Sequence, residues 1–331
     1  MWFALYTISV QSFTPSHLGS TWSNVAIGPK VSGQATAVDQ TGRVLAFGGL
    51  TDGAGSPCTS DVWAYKSSTW SKIDATDGPG PRMYAASAIL DNALYCFGGW
   101  DPEAPGTGGT FKDEAWKLDL ATNDWSMLEP LPCGAVSRHT ACTVGDKVIV
   151  HTFRGVTVYD KDGMREQPTT GDSPDGLSMC TATALGDDAM LLIFGSTKQQ
   201  GMSSDAYVLD TTSWAWKKLK NTGEEGVPSA RASSAAAPID GTSCLVFGGA
   251  GLGGGGYEGG AGLTAFDETW KLTVNGDDAI WEKLVIDGPP KPRVAASLSA
   301  LPGSNGEFLL HGGWTPSTKE TYDESAMLKL A

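Results

Sequence analysis

Ser243-Cys-Leu-Val-Phe-Gly-Gly249 is a short apolar run that stops at paired glycine, and it is not alone. The same figure stands at Val44-Leu-Ala-Phe-Gly-Gly49, Ala93-Leu-Tyr-Cys-Phe-Gly-Gly99 and Glu307-Phe-Leu-Leu-His-Gly-Gly313. Two degenerate copies, Lys147-Val-Ile-Val-His-Thr-Phe-Arg-Gly155 and Met190-Leu-Leu-Ile-Phe-Gly-Ser196, fill the gap before the first of these. Taking the first glycine, or the residue in its place, at 48, 98, 154, 195, 248 and 312 gives a mean period of about 53 residues. A period of that length marks one supersecondary unit repeated along the chain.

Working outward, an Asp opens an alternating run after each glycine pair: Asp61-Val-Trp-Ala-Tyr65, Asp113-Glu-Ala-Trp-Lys-Leu118, Asp205-Ala-Tyr-Val-Leu209, Asp267-Glu-Thr-Trp-Lys-Leu272 and Asp323-Glu-Ser-Ala-Met-Leu328. Alternation of this kind predicts a strand with one buried face. A turn and a Trp follow at Trp70, Trp125, Trp216 and Trp281, and then a Pro/Gly-rich connection leads to an Arg that opens the next apolar run: Arg82, Arg138, Arg231 and Arg293. Each unit therefore holds four short strands, a to d: Arg-led, glycine-ended, Asp-led and Trp-bearing.

These residues resemble the kelch repeat, whose signature is an early Arg or His, Gly-Gly, a spaced aromatic and then Trp. The resemblance runs over residues 20–331, after an N-terminal extension of residues 1–19, and implies an all-β, six-bladed kelch-type β-propeller with one blade per repeat. Trp22, in Gly19-Ser-Thr-Trp-Ser-Asn-Val25, precedes the first glycine pair, while the last unit ends with its third strand. The simplest closure gives the Trp22 segment to the last blade as strand d, so that no sheet edge stays open.

Composition agrees with a turn-rich globular chain. Among 331 residues there are 43 Gly and 12 Trp, with 40% hydrophobic and 18% charged residues, too apolar for a disordered segment. A net charge of -14 repels phosphate backbones and anionic headgroups, so neither nucleic acid nor membrane is an expected partner. Met1 to Val10 is apolar but lacks a basic leader and is too short to span a bilayer. Six cysteines without CxxC spacing read as small buried hydrophobes, and the expected location is cytoplasmic.

In an up-and-down blade the b–c and d–a loops emerge on one face, and here they are the long ones; the a–b and c–d turns, such as Asp91-Asn92, Gly145-Asp146 and Asp240-Gly-Thr242, are short. Long loops on a rigid scaffold are where binding is placed. The expected site gathers Arg82, Arg138, Arg231 and Arg293 at the mouth, with Trp100, Asp101, Arg154, Glu258 and Trp314 around it. A guanidinium fork suits carboxylates and sulfates. The glycine-rich run from Gly248 to Gly262 matches GxGxxG but leads into a strand, so it reads as a loop over the mouth and not as a dinucleotide site.

Three enzyme groups share the repeat. The loop after Gly249 resembles that of plant nitrile-specifier and thiocyanate-forming proteins, whose three iron ligands carry over onto Ala250, Gly254 and Glu258; only Glu258 can bind a metal, so no metal and no cofactor are expected. The four histidines, His17, His139, His151 and His311, lack the spacing of the copper site in galactose oxidase, and no paired acid–base motif like that of sialic acid epimerases appears. The reading is a non-enzymatic binding module or scaffold for a protein partner on the b–c and d–a face. Its alternative is a specifier-like enzyme acting on a small anionic metabolite at the same mouth.

Overall fold

In a computed structural model, which describes residues 20–52, 56–103, 108–252, 262–303 and 306–330, the chain folds as six antiparallel blades around a central channel. Blade 1 is Ala35–Val38, Val44–Phe47, Val62–Lys66 and Thr69–Ile73; blade 2 is Ala86–Leu90, Ala93–Phe97, Ala115–Asp119 and Trp125–Met127. Blade 3 is Thr140–Val144, Lys147–Thr152, Gly155–Asp160 and Gly163–Gln167; blade 4 is Thr181–Leu185, Ala189–Ile193, Ala206–Asp210 and Ala215–Lys218. Blade 5 is Ala235–Pro238, Ser243–Phe247, Thr269–Asn275 and Asp278–Leu284; blade 6 takes Ser297–Ala300, Glu307–His311 and Glu324–Lys329 from the end of the chain and Thr21–Ile27 from its start. Thr21–Ile27 pairs antiparallel with Glu324–Lys329, Trp22 facing Leu328, so the blade closes as the unpaired Trp22 predicts.

The core lies between blades. Buried clusters join each neighbouring pair, as where Leu245 and Phe247 of blade 5 meet Trp22, Phe308 and Leu328 of blade 6. The strand-d tryptophan of one blade packs on the preceding blade near the end of strand b: Trp125 on Phe47, Trp216 on His151, Trp281 on Phe194, Trp22 on Phe247 and Trp70 on His311, with ring centroids 4.4–5.7 Å apart. Blade 3 has Met164 where this Trp belongs, and the Tyr95–Tyr159 pair at 4.8 Å serves its junction with blade 2.

The glycine pairs are explained by close backbone approach. A Cβ on Gly48 would lie 2.5 Å from the Arg82 carbonyl, and one on Gly312 equally near that of Val31. The second glycine amide then donates to that carbonyl across the junction: Gly49 to Arg82, Gly99 to Val136, Gly195 to Arg231, Gly249 to Arg293 and Gly313 to Val31, at 2.8–3.0 Å. Two degenerate units differ from their sequence reading. Strand pairing puts Phe194 (φ 60°), not Gly195, in the first glycine position of blade 4, and Thr152, not Arg154, in that of blade 3.

At the closing seam His311 Nε2 lies 3.0 Å from the Pro29 carbonyl, which can only accept, so that nitrogen carries the proton. Nδ1 of the neutral ring then accepts from Ser325 Oγ at 2.9 Å, and Ser325 accepts from Trp70 Nε1 at 2.8 Å. The chain start, blade 1 and blade 6 are tied there by three buried bonds. Deleting residues 1–26 removes both the closing strand and Trp22, and should abolish cooperative melting in near-UV circular dichroism; a melt like that of the full chain would contradict this closure. Removing residues 1–12 spares every described contact.

Candidate functional site at the channel mouth

One residue from each blade contributes to a closed ring of backbone hydrogen bonds. Tyr84 N donates to Gly33 O, Arg138 to Tyr84, Met179 to Arg138, Ser233 to Met179, Ala295 to Ser233 and Gly33 back to Ala295, at 2.7–3.1 Å. All six have φ between 52° and 64°. For the five that are not glycine this left-handed backbone costs about 1–2 kcal/mol each, which the ring must offset. The ring stands where strand a enters each blade, so its side chains are set at the mouth on the b–c and d–a side.

The structure separates the four predicted arginines. Arg82, Arg231 and Arg293 are at most 2% exposed and make one repeated set of bonds. Nε donates to the carbonyl two residues back, at Gly80, Ser229 and Lys291, each 3.0 Å. Nη1 donates to the first-glycine carbonyl of the same blade, at Gly98, Gly248 and Gly312, 3.0–3.2 Å. Nη2 meets Glu114, Glu268 and Glu324 at 2.6, 2.8 and 3.3 Å. Each fork therefore clamps the start of strand a to the end of b and the start of c, and none is open to a ligand. Burial alone would raise Glu268, but hydrogen bonds from Lys283, Arg231 and Trp270 outweigh it and hold the carboxyl at about 2.

Arg138 is not their equivalent. The clamp position in blade 3 is Val136, buried, and Arg138 lies two residues later, in the ring. Its guanidinium is 4.9 Å from the Tyr84 ring centroid and 5.2 Å from that of Trp100, with Nη1 3.3 Å from Ser137 Oγ. Among the described residues it makes no ion pair. It borders a cavity of about 330 Å³ lined by Leu50, Met83, Tyr84, Trp100 and Trp314, with Glu103 also on its wall, and a second of about 240 Å³ reaching Met179, Met202 and Leu263. This is a half-buried cation in an aromatic and methionine-lined cleft, held by cation–π contacts that leave fork donors for an anion.

Trp100 and Trp314 both line the first cavity, and Trp100 Nε1 donates to Gly108 O at 3.1 Å. Asp101 spends Oδ1 on the Glu103 amide in its own loop. Arg154 is exposed, but Nη1 is bonded to Cys133 O at 2.5 Å and Ala135 O at 3.1 Å, so it braces the connection from blade 2 to blade 3. Glu258 and Gly254 lie outside the described residues, as does His17. His139, His151 and His311 are enclosed, and burial pushes each down to about 4. All six cysteines are unpaired. Tyr84 and Met179 were missed by the sequence reading. The available signal was spacing: Arg82 and Arg231 precede their turn residues Asp91 and Asp240 by nine positions, whereas Arg138 precedes Gly145 by seven.

The family model of the KLHDC2/KLHL20/DRC7 Kelch-repeats domain matches residues 5–164 and 156–331. The chain belongs to the kelch-repeat family. Similar kelch proteins include human Kelch domain-containing protein 3, 24% identical over 64% of this chain and 59% of its own length. Kelch domain-containing protein 10 of Xenopus laevis is 24% identical over 82% and 53%. The N-(sulfonatooxy)prop-2-enimidothioate sulfolyase of Thlaspi arvense is 26% identical over 56% and 41%. The chain spans about half the length of the curated relatives it matches. The solved structure of YjhT superposes with a TM-score of 0.68 at 20% identity, covering 93% of this chain and 95% of that one, which shows the shared fold.

Two outcomes follow from the side-chain environments. Arg82→Ala or Arg231→Ala strands a partly buried glutamate and a glycine carbonyl and should cost about 3–5 kcal/mol in urea unfolding, while Arg138→Ala stays within about 1 kcal/mol; equal losses would contradict the separation. Each enclosed histidine has a folded pKa of about 4, below its ordinary 6.5, so the stability it protects is complete above pH 6.5 and is lost as pH falls toward 4. Urea midpoints should therefore drop between pH 6.5 and 4.5, and His151→Gln should flatten that slope.

Proposed function

We propose that this kelch propeller is a non-enzymatic binding module that takes a protein segment on its b–c and d–a face, with Arg138 receiving a carboxylate and Tyr84, Trp100 and Trp314 receiving the apolar residue beside it. The observation that carries the reading is the contrast among arginines: three are spent inside the blades, and the fourth, among the described residues, makes no ion pair and lies against aromatic rings. A charge-assisted bond to such a group contributes about 1.5–3 kcal/mol. The relatives named for their kelch domains support a binding role in the family. Six unpaired cysteines support a cytoplasmic setting.

A second reading, an enzyme acting on a small sulfated or carboxylated metabolite at the same mouth, is favoured by the sulfolyase relative. Among the described residues no group of three or more His, Cys, Asp or Glu side chains could hold a metal. Panning a random peptide library on the full chain separates the two. Enriched peptides should carry Asp or Glu beside an apolar residue and lose roughly tenfold or more in affinity to the Arg138→Ala variant. Peptides that ignore Arg138, or a thermal shift and turnover obtained only with sulfated small molecules, would move the conclusion to the second reading.

A further inference from the structure

The mouth away from Arg138 is rimmed by carboxylates. Opposite the Arg138 mouth, the a–b turns carry Asp39, Asp91, Asp146, Asp187, Asp188 and Asp240 against two bases, Arg43 and Lys147. Asp39 is spent on Arg43 at 2.6 Å, and Asp146 pairs with Lys147. Asp91, Asp187 and Asp188 are exposed and make no ion pair among the described residues; Asp240 is exposed and gives only Oδ1 to its own turn. These turns adjoin, since a Cβ on Gly145 would lie 2.8 Å from Asp187 O and one on Gly186 3.9 Å from Gly241 O.

Beside this arc, between blades 5, 6 and 1, opens a cavity of about 530 Å³, larger than either at the Arg138 mouth. Val38, Ile239, Leu301, Pro302 and Phe308 supply apolar walls, with Glu307 among them, and Asp39 and Asp240 follow directly on Val38 and Ile239. Apolar walls reward burial of a hydrocarbon side chain and give a hydrated ion nothing. The carboxylate rim repels anions and draws cations toward the mouth. Anionic lipid is therefore a poor occupant, and so is a bare metal ion.

We propose that this second mouth is an interaction surface for a basic protein segment, in which one apolar side chain enters the cavity and flanking lysines or arginines face Asp187, Asp188 and Asp240. It uses neither Arg138 nor the aromatic cleft, so it stands apart from the proposed function.

The probe is a short capped peptide with a central leucine between pairs of lysines, titrated into the full chain and followed by amide NMR shifts. Saturable shifts should centre on Val38, Ile239 and Leu301. The combined Asp187→Asn, Asp188→Asn and Asp240→Asn variant, which changes only exposed turn side chains, should weaken binding roughly fivefold or more, as should added salt. Glycine in place of the leucine should weaken it comparably, and Arg138→Ala should leave it unchanged. Equal binding by the glycine peptide would reduce the site to counterion attraction and overturn the proposal, as would equal binding of a glutamate-flanked peptide or shifts confined to the other mouth. Sedimentation that shows the chain self-associating end to end, abolished by Arg138→Ala, would make a second copy the occupant and overturn it too.

Discussion

Six backbone hydrogen bonds that close on themselves around one channel mouth set the geometry of everything beyond them. A ring of this kind has a fixed number of members, so each blade must deliver one residue, in left-handed conformation, to the same level of the channel. The strand-d aromatic contacts and the glycine-to-carbonyl bonds then fix the angle between neighbours. An open chain could not hold the ring, which is why the pairing of Thr21–Ile27 with Glu324–Lys329 matters for residues far from it.

The ring also decides which arginine is left outside the blades. Two residues before a ring position, a guanidinium reaches back into its own blade and is saturated by a glycine carbonyl and a glutamate. At the ring position itself it stands at the mouth, where aromatic faces hold it and, among the described residues, it makes no ion pair. The same residue type is therefore a clamp in blades 2, 5 and 6 and an open cation in blade 3. The opposite mouth is rimmed by the aspartates of the a–b turns and has no arginine of this kind among the described residues.

Much of the architecture was legible in the chain. Periodic glycine pairs, Asp-led alternation and the solitary Trp22 carry blade number and closure, because each reports a backbone need that few other residues satisfy. The degenerate units were harder. Phe194 tolerates a positive φ that a sequence reading assigns to Gly195, and the two-residue turn at Phe153-Arg154 shifts blade 3 against its neighbours. The identity of the free arginine was hidden for a related reason: Arg138 stands before an apolar run just as Arg82 does, and only the distance to the following turn tells them apart. Side-chain partners such as Glu114 and Tyr84 come from strands and blades that composition cannot bring together.

Amide hydrogen exchange measured by NMR tests the ring most directly. If it is closed, the amides of Tyr84, Arg138, Met179, Ser233 and Ala295 exchange only by global unfolding, as slowly as those of Leu45 and Leu94 in the fully buried b strands. Exchange at these five positions as fast as at the exposed turn residue Asp187 would show the ring open in solution, and the placement of Arg138 at a fixed mouth would fall with it.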